Sequence, residues 1–106
     1  MNTKIYAVMT ASGESVCVGL FRSILNAVDF AASHRESCEV VELHDNGNGI
    51  AGKRYFGEFY YKSGDRLIGL TSAHTSHAAC RAEMHSHPYP AWSRYTLSVF
   101  SCALDD

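Results

Sequence analysis

The chain has 106 residues, of which 46% are hydrophobic and 19% charged, and its formal net charge is −2. This composition is typical of a single globular domain over 1–106 and excludes a disordered chain. A pI near 6.3 excludes a basic footprint for nucleic acid, so direct nucleic-acid binding is not expected.

No segment approaches the roughly 20 apolar residues of a membrane span. The apolar part of the N-terminus is shorter than the ~7–15 residues of a signal-peptide core. We therefore expect a cytoplasmic protein with no membrane partner. The four cysteines, Cys17, Cys38, Cys80 and Cys102, form no CxxC pair, and we expect them to be reduced.

The first elements along the chain are two strands joined by a turn. Residues 4–10 are rich in β-formers, and 15–21 alternate apolar and small residues, which predicts a hairpin around Gly13. The alternation places Val16, Val18 and Leu20 on one face of the second strand.

A helix over 24–35 is predicted next, with Ser23 as its N-cap. Its apolar residues at helical spacing are Ile24, Ala27, Val28 and Ala31, which we expect to face the core. Residues 38–44, "CEVVELH", alternate as a strand, and "DNGNG" at 45–49 predicts a loop.

The second half predicts the same order of elements. Residues 54–61 and 66–71 are predicted strands, 74–85 a helix and 93–104 a final strand. Pro88 and Pro90 exclude a continuation of that helix.

Similar short sequence motifs recur about 50 residues apart. "SGE" at 12–14 and "VGL" at 18–20 recur as "SGD" at 63–65 and "IGL" at 68–70. Further matched pairs are Ala27 with Ala78 and Ala31 with Ala82. The pattern predicts an α+β fold with tandem ββαβ halves, 1–49 and 50–106. Two helices would pack on one face of a mostly antiparallel sheet of about six strands. Alternatively, each half forms its own small sheet about a pseudo-twofold axis.

"HSHP" in the second half resembles the zinc-binding core of the JAMM metallopeptidases. The resemblance assigns the zinc histidines to His85 and His87 and the downstream serine to Ser93. It implies a zinc-activated water and a carboxylate ligand. The family's aspartate three residues after the serine is Thr96 here, so that ligand is missing.

A simpler metal site is the alternative. His74, His77, Cys80 and Met84 are spaced to share one face of the predicted helix, with His85 and His87 beyond. A solvated polar face is the competing interpretation and is preferred, so no metal ligand and no cofactor is predicted.

Two groups of residues are candidates for contact with a partner. Glu36, Glu39, Glu42 and Asp45 recur every three residues and predict either an acidic patch for basic surfaces or a solvated edge. Tyr55, Tyr60 and Tyr61 belong to an aromatic-rich strand. They predict core or dimer packing, a partner surface, or a stacking platform.

The half "YAVMT…SVCVGLFRSILNAVDFAA…EVVEL" resembles small ββαβ proteins encoded by phages and mobile elements, and the chain is compatible with anti-CRISPR proteins. That resemblance implies a non-enzymatic protein that binds a host protein or nucleoprotein complex and inhibits bacterial defence. The alternatives are a metal-binding or JAMM-like hydrolase using His74–His87, and a structural homodimer.

Overall fold

The structure is a computed structural model that describes residues 4–11, 16–48, 50–61, 67–86 and 93–105. For 61, 67–68, 93–102 and 105 it describes the backbone only. The described elements are β1 (Lys4–Thr10), β2 (Cys17–Phe21), α1 (Ile24–Ser33), β3 (Cys38–His44), β4 (Lys53–Tyr61), β5 (Leu67–Leu70), α2 (His77–Ser86) and β6 (Ser93–Asp105). The predicted turns at 12–14 and 63–65, Gly13, His87, Pro88 and Pro90 lie outside the described residues.

The strands form one six-stranded sheet in the order β3-β1-β2-β6-β4-β5. All neighbours are antiparallel except β2 and β6, which pair in parallel through Leu20 and Leu104. The predicted α+β class with a mostly antiparallel sheet is therefore confirmed. The alternative of two separate sheets is wrong, because the β2–β6 pairing joins the two halves.

The sheet curls until its two ends meet. Asp45, just after β3, forms a parallel bridge with Ala73, just after β5. The Ala73 amide donates to the His44 carbonyl at 2.8 Å, and the Asn46 amide donates to the Ala73 carbonyl at 2.9 Å. Side chains from both halves consequently share one interior cluster, formed by Ile5, Ala7, Met9, Cys17, Leu20, Leu43, Phe56, Ala73 and Leu104.

Both helices pack on the outer face of this curled sheet, as predicted. Interior residues pair with interior residues across the strands, for example Leu20 with Leu104. The side chains on the other face of the strands pack against the helices. Val8 and Phe21 contact α1, and Phe59 contacts α2. Among the described side chains of β1 and β4, only Lys4 and Lys53 are exposed.

The α2 helix begins three residues later than predicted. Ser76 is its N-cap, because its hydroxyl accepts from the Ala79 amide at 3.2 Å. His74 instead pairs with Tyr55 as a β-bridge, with N–H···O distances of 2.7 and 2.8 Å in the two directions. Pairing with β4 therefore takes His74 off the helix on which it was predicted to lie.

The predicted matching of alanines between the helices is wrong. Ala27 is buried, whereas Ala78 and Ala82 are exposed. The buried residue of α2 at the position of Ala27, four residues after the cap, is Cys80. The linker before α2 is longer than the linker before α1, which shifts the helices relative to the strands.

A β-bulge also corrects the predicted face of β2. Val8 pairs with Gly19 but Met9 pairs with Cys17, so Val18 is the extra residue. Cys17 and Leu20 consequently face the interior, and Val18 lies on the α1 side. Val16 is exposed and precedes the strand. The pairing of β4 with β5 also shifts register, because Phe59 pairs with Gly69 but Tyr60 pairs with Leu67.

Candidate functional site

The outer face of α1 carries exposed apolar side chains. Leu25 is 72% exposed, and Ile24 and Val28, which lie one turn apart beside it, are 50% and 48% exposed. Only two other large apolar side chains are exposed in the described part of the chain, Val16 and Ile50. We call Ile24, Leu25 and Val28 the α1 patch.

The phase of the helix explains why these residues point outward. The Ser23 hydroxyl accepts from the Asn26 amide at 3.4 Å and fixes the start of α1. The inner face then consists of Ala27, Phe30 and Ala31, packed against Val8 and Phe21. The prediction that Ile24 and Val28 face the core is therefore wrong.

The sequence of α1 carries a signal for the α1 patch. Seven of the ten residues in "ILNAVDFAAS" are apolar, so apolar residues occupy more than one face of a short helix. A sheet covers only one face, and the surplus apolar side chains must lie elsewhere.

The predicted acidic residues do not form one acidic face. Glu36, Glu39 and Glu42 are exposed. In β3, Glu39 pairs with interior-facing Met9 and Glu42 with Tyr6 on the α1 side, so their side chains leave opposite faces.

Glu42 also has a basic neighbour on β1. Its Oε1 lies 3.0 Å from Lys4 Nζ in an exposed ion pair. The hydrogen bond and the charge of Glu42 raise the pKa of Lys4.

Asp45 is not accessible to a partner, because it is only 1% exposed. Its carboxylate accepts from Arg54 Nε at 2.6 Å and from the Gly47 amide at 2.9 Å. A carboxylate with an internal cation and internal amide donors does not contribute to an acidic surface.

The aromatic strand is likewise covered on both sides. Tyr60 is 2% exposed, and its hydroxyl donates to the buried carboxylate of Glu58. Tyr55 packs against the cluster under α2, edge-on to His77. Both residues pack within the fold, in line with the predicted alternative of core packing, and neither forms an exposed stacking platform. The side chain of Tyr61 lies outside the described residues.

His74 is held in place by hydrogen bonds from both of its ring nitrogens. His74 Nε2 lies 2.7 Å from Glu83 Oε1, and its Nδ1 lies 3.2 Å from Asn46 Nδ2. Glu83 Oε2 also accepts from the Ser72 amide at 3.1 Å. Both ring nitrogens of His74 are thus engaged in fastening α2 to the seam of the sheet.

No group of three potential metal ligands occurs among the residues that the structure describes. Cys80 and Met84 point from α2 into the cluster with Phe59, while His85 is exposed near the end of the helix. His74 precedes α2 and therefore does not share a helix face with His77, Cys80 and Met84.

The three cysteines with described side chains, Cys17, Cys38 and Cys80, are free thiols. Burial raises the pKa of Cys80, partly offset by its contact with the Thr71 hydroxyl, while the charge of Glu83 raises it further. Such a thiol is a poor nucleophile.

Neither helix in the described chain is long and apolar enough to cross a membrane. Comparison with protein-family models, curated proteins and solved structures finds no match. The local geometry and chemistry of the chain are therefore the basis for a functional proposal.

Proposed function

We propose that this chain acts by binding another protein through the α1 patch. The observation that carries the proposal is the exposure of Ile24, Leu25 and Val28 within one turn of a helix. Contiguous exposed apolar side chains are typical of protein interaction sites. Burial of an apolar side chain stabilises a complex by roughly 1.5–3 kcal/mol when it is complete.

Leu25 is the residue we expect to matter most. It is the most exposed of the three, so a partner that covers the α1 patch buries more of Leu25 than of Ile24 or Val28. Burial of apolar surface is the main favourable term in most protein association. The α1 patch is small beside the roughly 800 Å² that each partner contributes to a standard interface. The partner must therefore also contact the surroundings of α1.

The partner we propose is a bacterial defence complex, which the chain would inhibit in the way that anti-CRISPR proteins do. The resemblance of the first half to small phage proteins is the reason for choosing this class. An inhibitor of this kind needs a stable surface and no catalytic group of its own.

The experiment compares capture by the tagged protein and by two variants from bacterial lysates that contain defence complexes. Leu25→Glu places a charge in the α1 patch, and Ala82→Glu places the same charge on the exposed face of α2 as a matched control. We expect a stoichiometric defence complex with the unmodified protein and with Ala82→Glu, and its loss with Leu25→Glu.

The captured complex is then purified and its nuclease activity is measured with added protein. Inhibition that Leu25→Glu abolishes and Ala82→Glu leaves intact would support the proposal. Capture that survives Leu25→Glu unchanged would refute the role of the α1 patch. Capture without inhibition would show that the chain binds the complex but does not inhibit it.

A further inference from the structure

The second edge of β3 is open in the described structure. β3 is the terminal strand of the sheet and pairs with β1 along all seven of its residues. On its other side, the described hydrogen bonds are those of His44 and Asn46 to Ala73 at the seam.

The backbone direction of β3 identifies the groups at this open edge. In a strand, residues that bond to one neighbour alternate with residues that bond to the other. Because the His44 carbonyl bonds to Ala73, the N–H and C=O groups of Val40 and Glu42 point the same way, toward the open side. These groups are a template for another strand.

The side chains along this edge have a distinctive order. Glu39 and Glu42 are exposed, while Val40 and Val41 between them are half-buried. Val40 packs against the cluster under α1, and Val41 packs against the interior cluster. A strand laid alongside would cover the exposed flanks of both valines and lie between carboxylates on opposite faces.

A second copy of the chain does not fit this edge well. Two β3 edges that pair antiparallel at their free backbone groups are centred on residue 39, 40, 41 or 42. Centring on 39 or 42 places Glu39 or Glu42 directly opposite its own copy. Centring on 40 or 41 places the two Glu39 or the two Glu42 side chains on a diagonal, roughly 7–8 Å apart between strands. Each of these four antiparallel registers therefore brings like charges together.

A partner strand with basic side chains would replace this repulsion between like charges with attraction. We propose that the outer edge of β3 binds an extended segment of a partner protein, with the order basic–apolar–apolar–basic, as an added strand. The inference rests on the proposed protein-binding function and names the chemistry of the partner. The partner's basic side chains would lie opposite Glu39 and Glu42, and its apolar side chains beside Val40 and Val41. Backbone hydrogen bonds give such a contact affinity and the side chains give it specificity.

The Lys4–Glu42 pair does not prevent this contact. Both side chains are at least half exposed, at 60% and 50%, and an exposed pair of this kind contributes little to stability. Glu42 can therefore exchange Lys4 for a partner's cation at small cost.

The test uses the full chain and a blocked ten-residue peptide with a central Lys-Val-Val-Lys. Binding is followed by amide chemical shifts and by hydrogen exchange. We expect saturable binding in which the amides of Val40 and Glu42 become protected from exchange.

Charge reversal separates strand addition from general attraction. Glu39→Lys with Glu42→Lys should weaken binding of the basic peptide by about tenfold, since two favourable cross-strand pairs become unfavourable. The same variant should strengthen binding of a Glu-Val-Val-Glu peptide. Glu36→Lys reverses one charge on an exposed residue outside the strand, which is half the charge change of the double variant. It should change binding less than about twofold.

Three outcomes would overturn the inference. One is peptide binding without new protection at Val40 and Glu42. Another is an equal effect of Glu36→Lys. The third is concentration-dependent protection of these amides in the protein alone, which would assign the edge to a second copy.

The α1 patch provides a separate readout. Leu25→Glu should leave peptide binding unchanged, because its side chain is not at the β3 edge. Loss of captured partner with intact peptide binding, or the reverse, therefore shows which of the two proposals fails.

Discussion

Arg54 and Asp45 form a bidentate ion pair inside the fold. Arg54 Nε lies 2.6 Å from Asp45 Oδ1, and Nη2 lies 3.2 Å from Oδ2. Nη2 also donates to the carbonyls of Gly47 and Ile50. The pair therefore ties the start of β4 to the loop that follows β3, next to the Asp45–Ala73 bridge.

Arg54→Met should destabilise the protein strongly. The variant leaves the Asp45 carboxylate buried without its cation, and breaking one partner of a buried pair typically costs about 3–5 kcal/mol. Urea denaturation at neutral pH, followed by circular dichroism, measures this loss in the free energy of unfolding.

Lys4→Met is the matched control for that variant. It removes the cation of the exposed pair with Glu42 and should cost about 0–1 kcal/mol. Replacing both Arg54 and Asp45 by apolar residues should recover part of the loss. Equal losses in Arg54→Met and Lys4→Met would show that burial does not increase the contribution of the Arg54–Asp45 pair to the free energy of unfolding.

This ion pair also shows where prediction from the sequence stops. Alternating apolar residues are a local signal, and the bounds of β1 and β3 agree with the structure. Nothing local predicts that Asp45 meets Arg54, because the contact depends on the sheet curling back to Ala73. The same closure places Tyr60 inside, although its strand was predicted correctly within one residue.

The start of α2 was mispredicted for a similar reason. His74 fits a helical pattern, but its backbone bonds to Tyr55 on a distant strand. Tertiary pairing thus overrides local propensity there. The α1 patch is a different case, because its apolar surplus was already visible in the sequence.

Gly57→Ala should be destabilising, and Gly69→Ala should not. A Cβ at Gly57 would overlap the thioether of Met84, with Cε at 2.9 Å, whereas a Cβ at Gly69 meets none of the described atoms within 4 Å. We expect Gly57→Ala to cost about 1–3 kcal/mol from overpacking. Gly69→Ala should be neutral or stabilise by about 0.4–1 kcal/mol, because it restricts the unfolded chain.

Thermal and urea unfolding of the two alanine variants measures the difference directly. Both substitutions add one methyl group to a strand of the same half, so each controls for the other. In a Met84→Ala background the cost of Gly57→Ala should shrink. A cost that stays the same in that background would mean that Met84 is not the obstacle.

Cys80 should react slowly with thiol reagents in the folded protein. Its side chain is fully buried, and burial raises the pKa of its thiol above the ordinary value of 9.0. Half-buried Cys38 is the internal control. Alkylation at pH 8, read by peptide mass spectrometry, should be at least about tenfold slower at Cys80 because both access and thiolate are limited. Equal rates would contradict the burial of Cys80.

The same raised pKa predicts a pH dependence of stability. Because the folded protein disfavours the Cys80 thiolate, this contribution to stability is complete below the unfolded-state pKa near 9.0. It is lost as pH rises from there through the higher pKa of the folded state. Urea denaturation between pH 8 and pH 10 should show a steeper loss for the unmodified protein than for Cys80→Ala. Parallel losses in the two proteins would mean that other groups control stability in this range.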